Sequence, residues 1–147
     1  MVKVRDNEFP DHLLYDIENQ IWYAPLEDGT VRAGFTSWAA NLMGDVLVFT
    51  PTRIGREFER SRSFAIVEGG KWVGAARAAF DGVVIAHNEL LVRTPELMNS
   101  DAYGDGWMLI VRPVAQGNWR NSLISGPDFA PEFERWLASE VYKNRPG

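Results

Sequence analysis

The apolar runs of this chain are short, and turn residues keep stopping them. Residues 31–35 follow an Asp28-Gly29 turn, 45–50 stop at Pro51, 64–67 run out at Gly69-Gly70, and 107–111 close at Pro113. Residues 16–22 lead into a further strand, and 79–86 form another that Asp81-Gly82 interrupts. Short apolar runs bounded by such residues are strands, because glycine supplies the positive φ that tight hairpins demand. Strands this short must bury their faces against one another. The expected fold is therefore mainly β, a flattened sandwich or barrel. Short helices decorate it. A hydroxyl cap and a closing glycine predict one over 36–44, and Thr94-Pro95 predicts a helical turn over 94–99. Phe133, Trp136, Leu137 and Val141 recur at helical spacing, which predicts a C-terminal amphipathic helix over 131–142. No internal repeat, low-complexity stretch or linker divides the 147 residues, so one domain is expected.

Composition removes most chemistry. With 46% hydrophobic and 24% charged residues, the chain has the balance of a soluble globular protein. No apolar run approaches the roughly 20 residues that span a bilayer. The first residues lack a secretory core, which places the chain in the cytoplasm. A net charge of −5 argues against nucleic acid as a partner. Cysteine is absent, which excludes disulfides, thiolate nucleophiles and thiolate metal sites together. His12 and His87 lie far apart, without acidic residues at a ligand or triad spacing. No nucleophile elbow, phosphate loop or dinucleotide fingerprint occurs. The chain is expected not to be an enzyme and to bind no metal. If it takes part in a reaction, the reactive group is attached to it.

One residue suits attachment. The chain has three lysines against twelve arginines, and two of the three, Lys3 and Lys143, sit near the termini. The third, Lys71, follows Gly69-Gly70 between two apolar runs, at or beside a hairpin tip. Such an amine is open to acylation. Taken alone, the hairpin also fits a plain solvated turn lysine.

Four segments in order resemble the glycine cleavage system H-protein family. Gly34-Phe35-Thr36-Ser37-Trp38-Ala39 through Leu42-Met43-Gly44-Asp45 is similar to G-I-T-x-x-A…L-G-D. Val67-Glu68-Gly69-Gly70-Lys71 resembles V-E-S-V-K, whose lysine carries lipoate. Gly82 through Asn88-Glu89 resembles G-x-V-x-x-x-N-x. The longest match runs from Thr94-Pro95-Glu96-Leu97-Met98-Asn99 through Asp101-Ala102-Tyr103-Gly104-Asp105-Gly106-Trp107, against P-E-L-x-N-x-D-P-Y-G-x-G-W. The resemblance implies a lipoyl-domain-like barrel-sandwich hybrid: a single carrier domain over 1–147, with a core of about 15–113 and a helical extension over 114–147. It implies lipoate in amide linkage to Lys71. Glu68 is then either read by the lipoate-attaching enzyme or is a solvated strand-end carboxylate. Gly69 and Gly70 permit the turn and clear the approach, with Gly70 expected at positive φ. Tyr103, Gly104, Gly106 and Trp107 fix a turn against the sandwich.

Departures from the family pattern bear on cargo. Asn19-Gln20-Ile21-Trp22 stands where the family has S-H-E-W, and Lys71-Trp72-Val73-Gly74-Ala75 where it has K-A-x-S-D. In the family, that Glu and Asp help hold a cationic aminomethyl group, and Ile21 and Ala75 carry no charge to do so. The run of residues 70–74, G-K-W-V-G, is instead similar to the H-like lipoate-binding proteins of bacterial sulfur oxidation. Trp72 then either packs the hairpin or lies over the lipoyl chain. Partners implied are a heterodisulfide-reductase-like complex with sulfur transferases. For an ordinary H-protein they are glycine decarboxylase, aminomethyltransferase and dihydrolipoamide dehydrogenase. A third possibility is an unlipoylated assembly module of the same fold.

Overall fold

A computed structural model describes residues 2–4, 7–114 and 118–139 of the chain. The chain opens with β1 (Val2–Val4), β2 (Asn7–Phe9), β3 (Leu14–Asp16), β4 (Ile21–Pro25) and β5 (Val31–Phe35). Helix α1 (Ser37–Met43) leads to β6 (Val46–Pro51), β7 (Glu57–Phe58), β8 (Ser63–Gly69), β9 (Val73–Arg77) and β10 (Gly82–His87). Two short helices, α2 (Glu89–Arg93) and α3 (Leu97–Ser100), precede β11 (Leu109–Pro113). A 3-10 turn over Trp119–Ser122, β12 (Ile124–Ser125) and α4 (Gly126–Ala138) follow.

The strands form three antiparallel sheets. The largest has seven strands in the order β12-β3-β4-β5-β11-β10-β7, the second is β6-β8-β9, and β1 pairs with β2. The two larger sheets bury their facing sides in one core, with Tyr23, Val31, Phe35, Val84 and Val111 meeting Phe49, Phe64 and Val67. A second, aromatic cluster forms where α4 lies across β1, β2 and β3. There Phe9, Tyr15, Phe129 and Phe133 are fully buried. The expected flattened β architecture with short helices and a C-terminal helix is what the chain adopts, and its sheets stay open rather than closing into a barrel. Among the described residues, no helix is long and apolar enough to cross a membrane.

Several boundaries differ from expectation, each for a tertiary reason. Helix α4 begins at Gly126, behind Ser125 as N-cap, and carries Pro131 inside it. Pro131 costs one backbone hydrogen bond, but Phe129, Phe133 and Leu137 bury a continuous face that offsets it. Val141, at the end of the expected helix, lies outside the described residues. The strand expected from residue 79 starts at Gly82 instead. Ala79 donates its amide to the Tyr23 hydroxyl, and the Phe80 ring packs against Tyr23, Phe58 and Trp119, so both residues serve the core rather than the ladder.

Helix α2 is only five residues long and depends on Asn88. Its Oδ1 caps the Leu90 amide at 3.2 Å, while its Nδ2 donates to the carbonyls of Asp105 at 2.7 Å and Trp107 at 2.8 Å. Asn88 is buried, so truncation strands two carbonyls and an amide. Asn88→Ala is expected to lower stability by about 2–4 kcal/mol in chemical denaturation.

Candidate functional site

Strands β8 and β9 place Glu68 opposite Val73, leaving residues 69–72 as the connecting turn. The Gly69 amide closes it by donating to the Trp72 carbonyl at 2.8 Å. Lys71 is the third residue of this turn and is exposed. Among the described residues it has no ion-pair partner.

The turn does not hang free. Gly70 donates its amide to the Asp45 carbonyl at 2.9 Å, and Lys71 donates to the Met43 carbonyl at 2.9 Å. The first carbonyl belongs to the connection from α1 to β6 and the second to the last residue of α1. Between them, Gly44 adopts φ 76° and ψ −157°, a conformation that side chains other than glycine rarely take. A Cβ on Gly44 would lie 3.1 Å from Lys71 Cγ, so the lysine stem rests on this glycine. The hairpin tip is thus held by backbone on one side, with the ammonium group directed to solvent.

This geometry corrects the expected role of the two hairpin glycines. Neither Gly69 nor Gly70 adopts positive φ; among the described residues the glycines that do are Gly29, Gly44 and Gly55. The tip is fixed by carbonyls from a neighbouring segment, so it needs no left-handed turn of its own. Gly69 is required for a different reason. A Cβ there would lie 2.3 Å from the Met43 carbonyl oxygen, a contact no side chain can make. At Gly70 the nearest atom to such a Cβ is 3.9 Å away, so that position has room.

On the outer face of the three-stranded sheet, Val48, Glu68 and Val73 form one row, and Thr50, Ile66 and Ala75 the next. Leu47, Val48 and Val73 are 61%, 42% and 58% exposed around the lysine, and Trp72 is open beside it. These surroundings fit an alkyl arm in amide linkage to Lys71: an accessible amine, a seated stem and apolar neighbours. Glu68 is exposed between the two valines, close to the tip and open to an approaching protein.

Ile21 is not part of this face. It is fully buried in the main core, opposite Phe35 on β4. β4 lies inside the seven-stranded sheet, and its inward positions Ile21 and Tyr23 fill the space between the sheets. Of the two positions expected to border the cargo, only Ala75 lies on the lysine's own sheet. Trp22 points the other way and donates its Nε1–H to the Ala102 carbonyl at 3.1 Å. Tyr103 accepts the Ser37 amide at 3.2 Å, so it secures the first turn of α1. Burial raises its hydroxyl pKa. His87 pairs with Glu89, away from the hairpin.

The carbonyls of Met43 and Asp45 were not singled out in the sequence, since backbone acceptors leave no side-chain signature. The Leu42-Met43-Gly44-Asp45 stretch is the available signal, legible in the sequence as a helix end and as part of a family motif but not as a clamp on the hairpin.

The family model for the glycine cleavage H-protein matches residues 13–135. Glycine cleavage system H protein 5 of Aquifex aeolicus is 38% identical over 127 residues, covering 84% of this chain and 86% of that protein. H protein 2 of the same organism is 32% identical over 131 residues, covering 89% and 81%. Among solved structures, a glycine cleavage system H protein from Mycobacterium marinum superposes with a TM-score of 0.74 at 27% identity, covering 89% of this chain and 100% of that one.

Proposed function

Because this chain belongs to the glycine cleavage H-protein family, whose members carry lipoate covalently on a lysine, we propose that Lys71 is its attachment point and that it works as a carrier. The observation that carries this is the turn at 69–72, pinned through two amides to the end of α1 and the α1–β6 connection with its amine exposed. Bound lipoate would supply the dithiol–disulfide chemistry that a cysteine-free polypeptide lacks. The protein's own part is presentation. Met43 and Asp45 hold the tip in one orientation, and Gly69 lets the turn approach them. Glu68 stands where a lipoate-attaching enzyme can read it. Trp72 offers an aromatic face to the arm. Intact mass after incubation with lipoate and a lipoate-attaching enzyme tests this: one lipoyl group per chain is expected, located on Lys71 by peptide mapping. Modification at Lys3 or Lys143 instead would refute it.

Two cargoes follow. The similarity to glycine cleavage system H proteins favours an aminomethyl group, with glycine decarboxylase, aminomethyltransferase and dihydrolipoamide dehydrogenase as partners. One observation favours sulfur, exchanged with a heterodisulfide-reductase-like complex and sulfur transferases. Beyond the lysine, β9 alternates Val73, Ala75 and Arg77 on the sheet's outer face and contributes no carboxylate of its own, which leaves Glu68, opposite Val73, as the acid this face offers an ammonium. Arg77, at the far end of β9 opposite Ser63, adds a cation rather than an acid to that face. With either cargo we place the carrier in the cytoplasm.

Ala75→Asp discriminates the two. If sulfur is the cargo, the lipoylated wild type is a poor acceptor with glycine and glycine decarboxylase, and the variant accepts about tenfold more, since a nearby carboxylate is worth about 1–2 kcal/mol to a cation. Mass spectrometry of the loaded chain reads the result. Efficient aminomethylation of the wild type, with no sulfur adduct from a persulfide donor, makes aminomethyl the cargo. Restoring an acid at position 21 is not a usable control, because a carboxylate there would be buried in the core.

A further inference from the structure

We infer that Asn99 is the positioning residue of the Lys71 hairpin, acting from α3 through the backbone that clamps the tip; this rests on Lys71 being the lipoylated residue. Three hydrogen bonds leave this one side chain. Its Oδ1 accepts the Val46 amide at 2.8 Å, and its Nδ2 donates to the Gly44 carbonyl at 2.9 Å and the Ala40 carbonyl at 3.3 Å. Gly44 lies between the two residues that hold the turn, and Val46 follows the second: Met43 accepts from Lys71, and Asp45 accepts from Gly70. Gly44 is also the surface on which the Lys71 stem rests.

Asn99 thus locks the end of α1 and the start of β6 on both sides of a glycine in a conformation that the chain does not hold by itself. The site calls for an acceptor and a two-proton donor on one short side chain, which asparagine provides. Aspartate would keep the bond to Val46 but set a lone pair against the Gly44 carbonyl. Leucine would leave all three groups unpaired. The position of the lysine therefore depends on a residue 28 places along the chain whose side chain bonds not to Gly70 or Lys71 but to the backbone around the carbonyls that hold them.

Asn99→Ala separates positioning from stability when set beside Tyr15→Phe. The Tyr15 variant loses a buried hydrogen bond of 2.6 Å to the Pro10 carbonyl in the second cluster, away from the hairpin. Two readouts apply to both proteins: kcat/KM for lipoate attachment, and amide exchange at Gly70 and Lys71 against the β8–β9 ladder. Asn99→Ala is expected to cut kcat/KM about tenfold and to raise exchange at the two tip amides about tenfold over the ladder, the effect of losing roughly one well-formed hydrogen bond. Tyr15→Phe is expected to change neither. Unchanged tip exchange in Asn99→Ala overturns the inference, as does an equal loss of lipoylation in Tyr15→Phe. A wild-type chain that takes no lipoate on Lys71 overturns the carrier function itself, and is told apart because it fails before any variant is compared.

Discussion

Lys71→Arg is expected to abolish lipoate incorporation completely while shifting the melting temperature by no more than about 2 °C. Arginine keeps the charge and the alkyl stem that rests on Gly44, and it keeps the backbone amide that donates to Met43. What it loses is the nucleophilic amine, since a guanidinium stays protonated and delocalised. The side chain is exposed, so little burial is at stake. Intact mass and a thermal melt on the same sample check both halves. Residual single lipoylation of the variant would move the attachment to Lys3 or Lys143, and a large fall in melting temperature would show that the lysine also holds the hairpin together.

Gly69→Val is expected to be the most damaging substitution in the turn, and Gly70→Ala among the mildest. Valine at position 69 must put a Cβ 2.3 Å from the Met43 carbonyl oxygen and 2.8 Å from Met43 Cβ, so either the hairpin or the end of α1 has to move. Met43 is fully buried in the main core, which leaves the hairpin as the part that yields. Moving it breaks the Lys71–Met43 and Gly70–Asp45 hydrogen bonds together. A loss of about 2–4 kcal/mol in urea unfolding is expected, with lipoylation reduced to background. Alanine at position 70 meets nothing closer than 3.9 Å and needs no positive φ, so a change within about 1 kcal/mol and near-normal lipoylation are expected. Equal effects at the two glycines would mean that turn flexibility, rather than the approach to Met43, governs the site.

Much of the fold could be read locally. Residues 31–35 form the strand that their Asp28-Gly29 turn announces, and Thr36 and Gly44 bound α1 as N-cap and C-cap. Lys71 stood out as the one internal lysine, and its place at a hairpin tip followed from apolar runs on either side of two glycines. These features rest on neighbours in sequence, where a side chain and its own backbone decide the outcome. Distance in the chain defeated the rest. The order β12-β3-β4-β5-β11-β10-β7 joins strands far apart in sequence. The inward direction of Ile21 depends on which neighbours β4 acquires, and alignment alone placed that residue at the cargo.

The sequence by itself determined the short strands, the absence of any thiol, and the one internal lysine, at a hairpin tip. The tertiary structure alone decided why that amine is held still. Gly69 is indispensable because Met43 arrives from another element, Gly70 is free because nothing does, and Asn99 reaches the turn only through the carbonyls it positions. Turn propensity is a property of adjacent residues, whereas close approach and backbone hydrogen bonding between segments exist only once the sheets have packed.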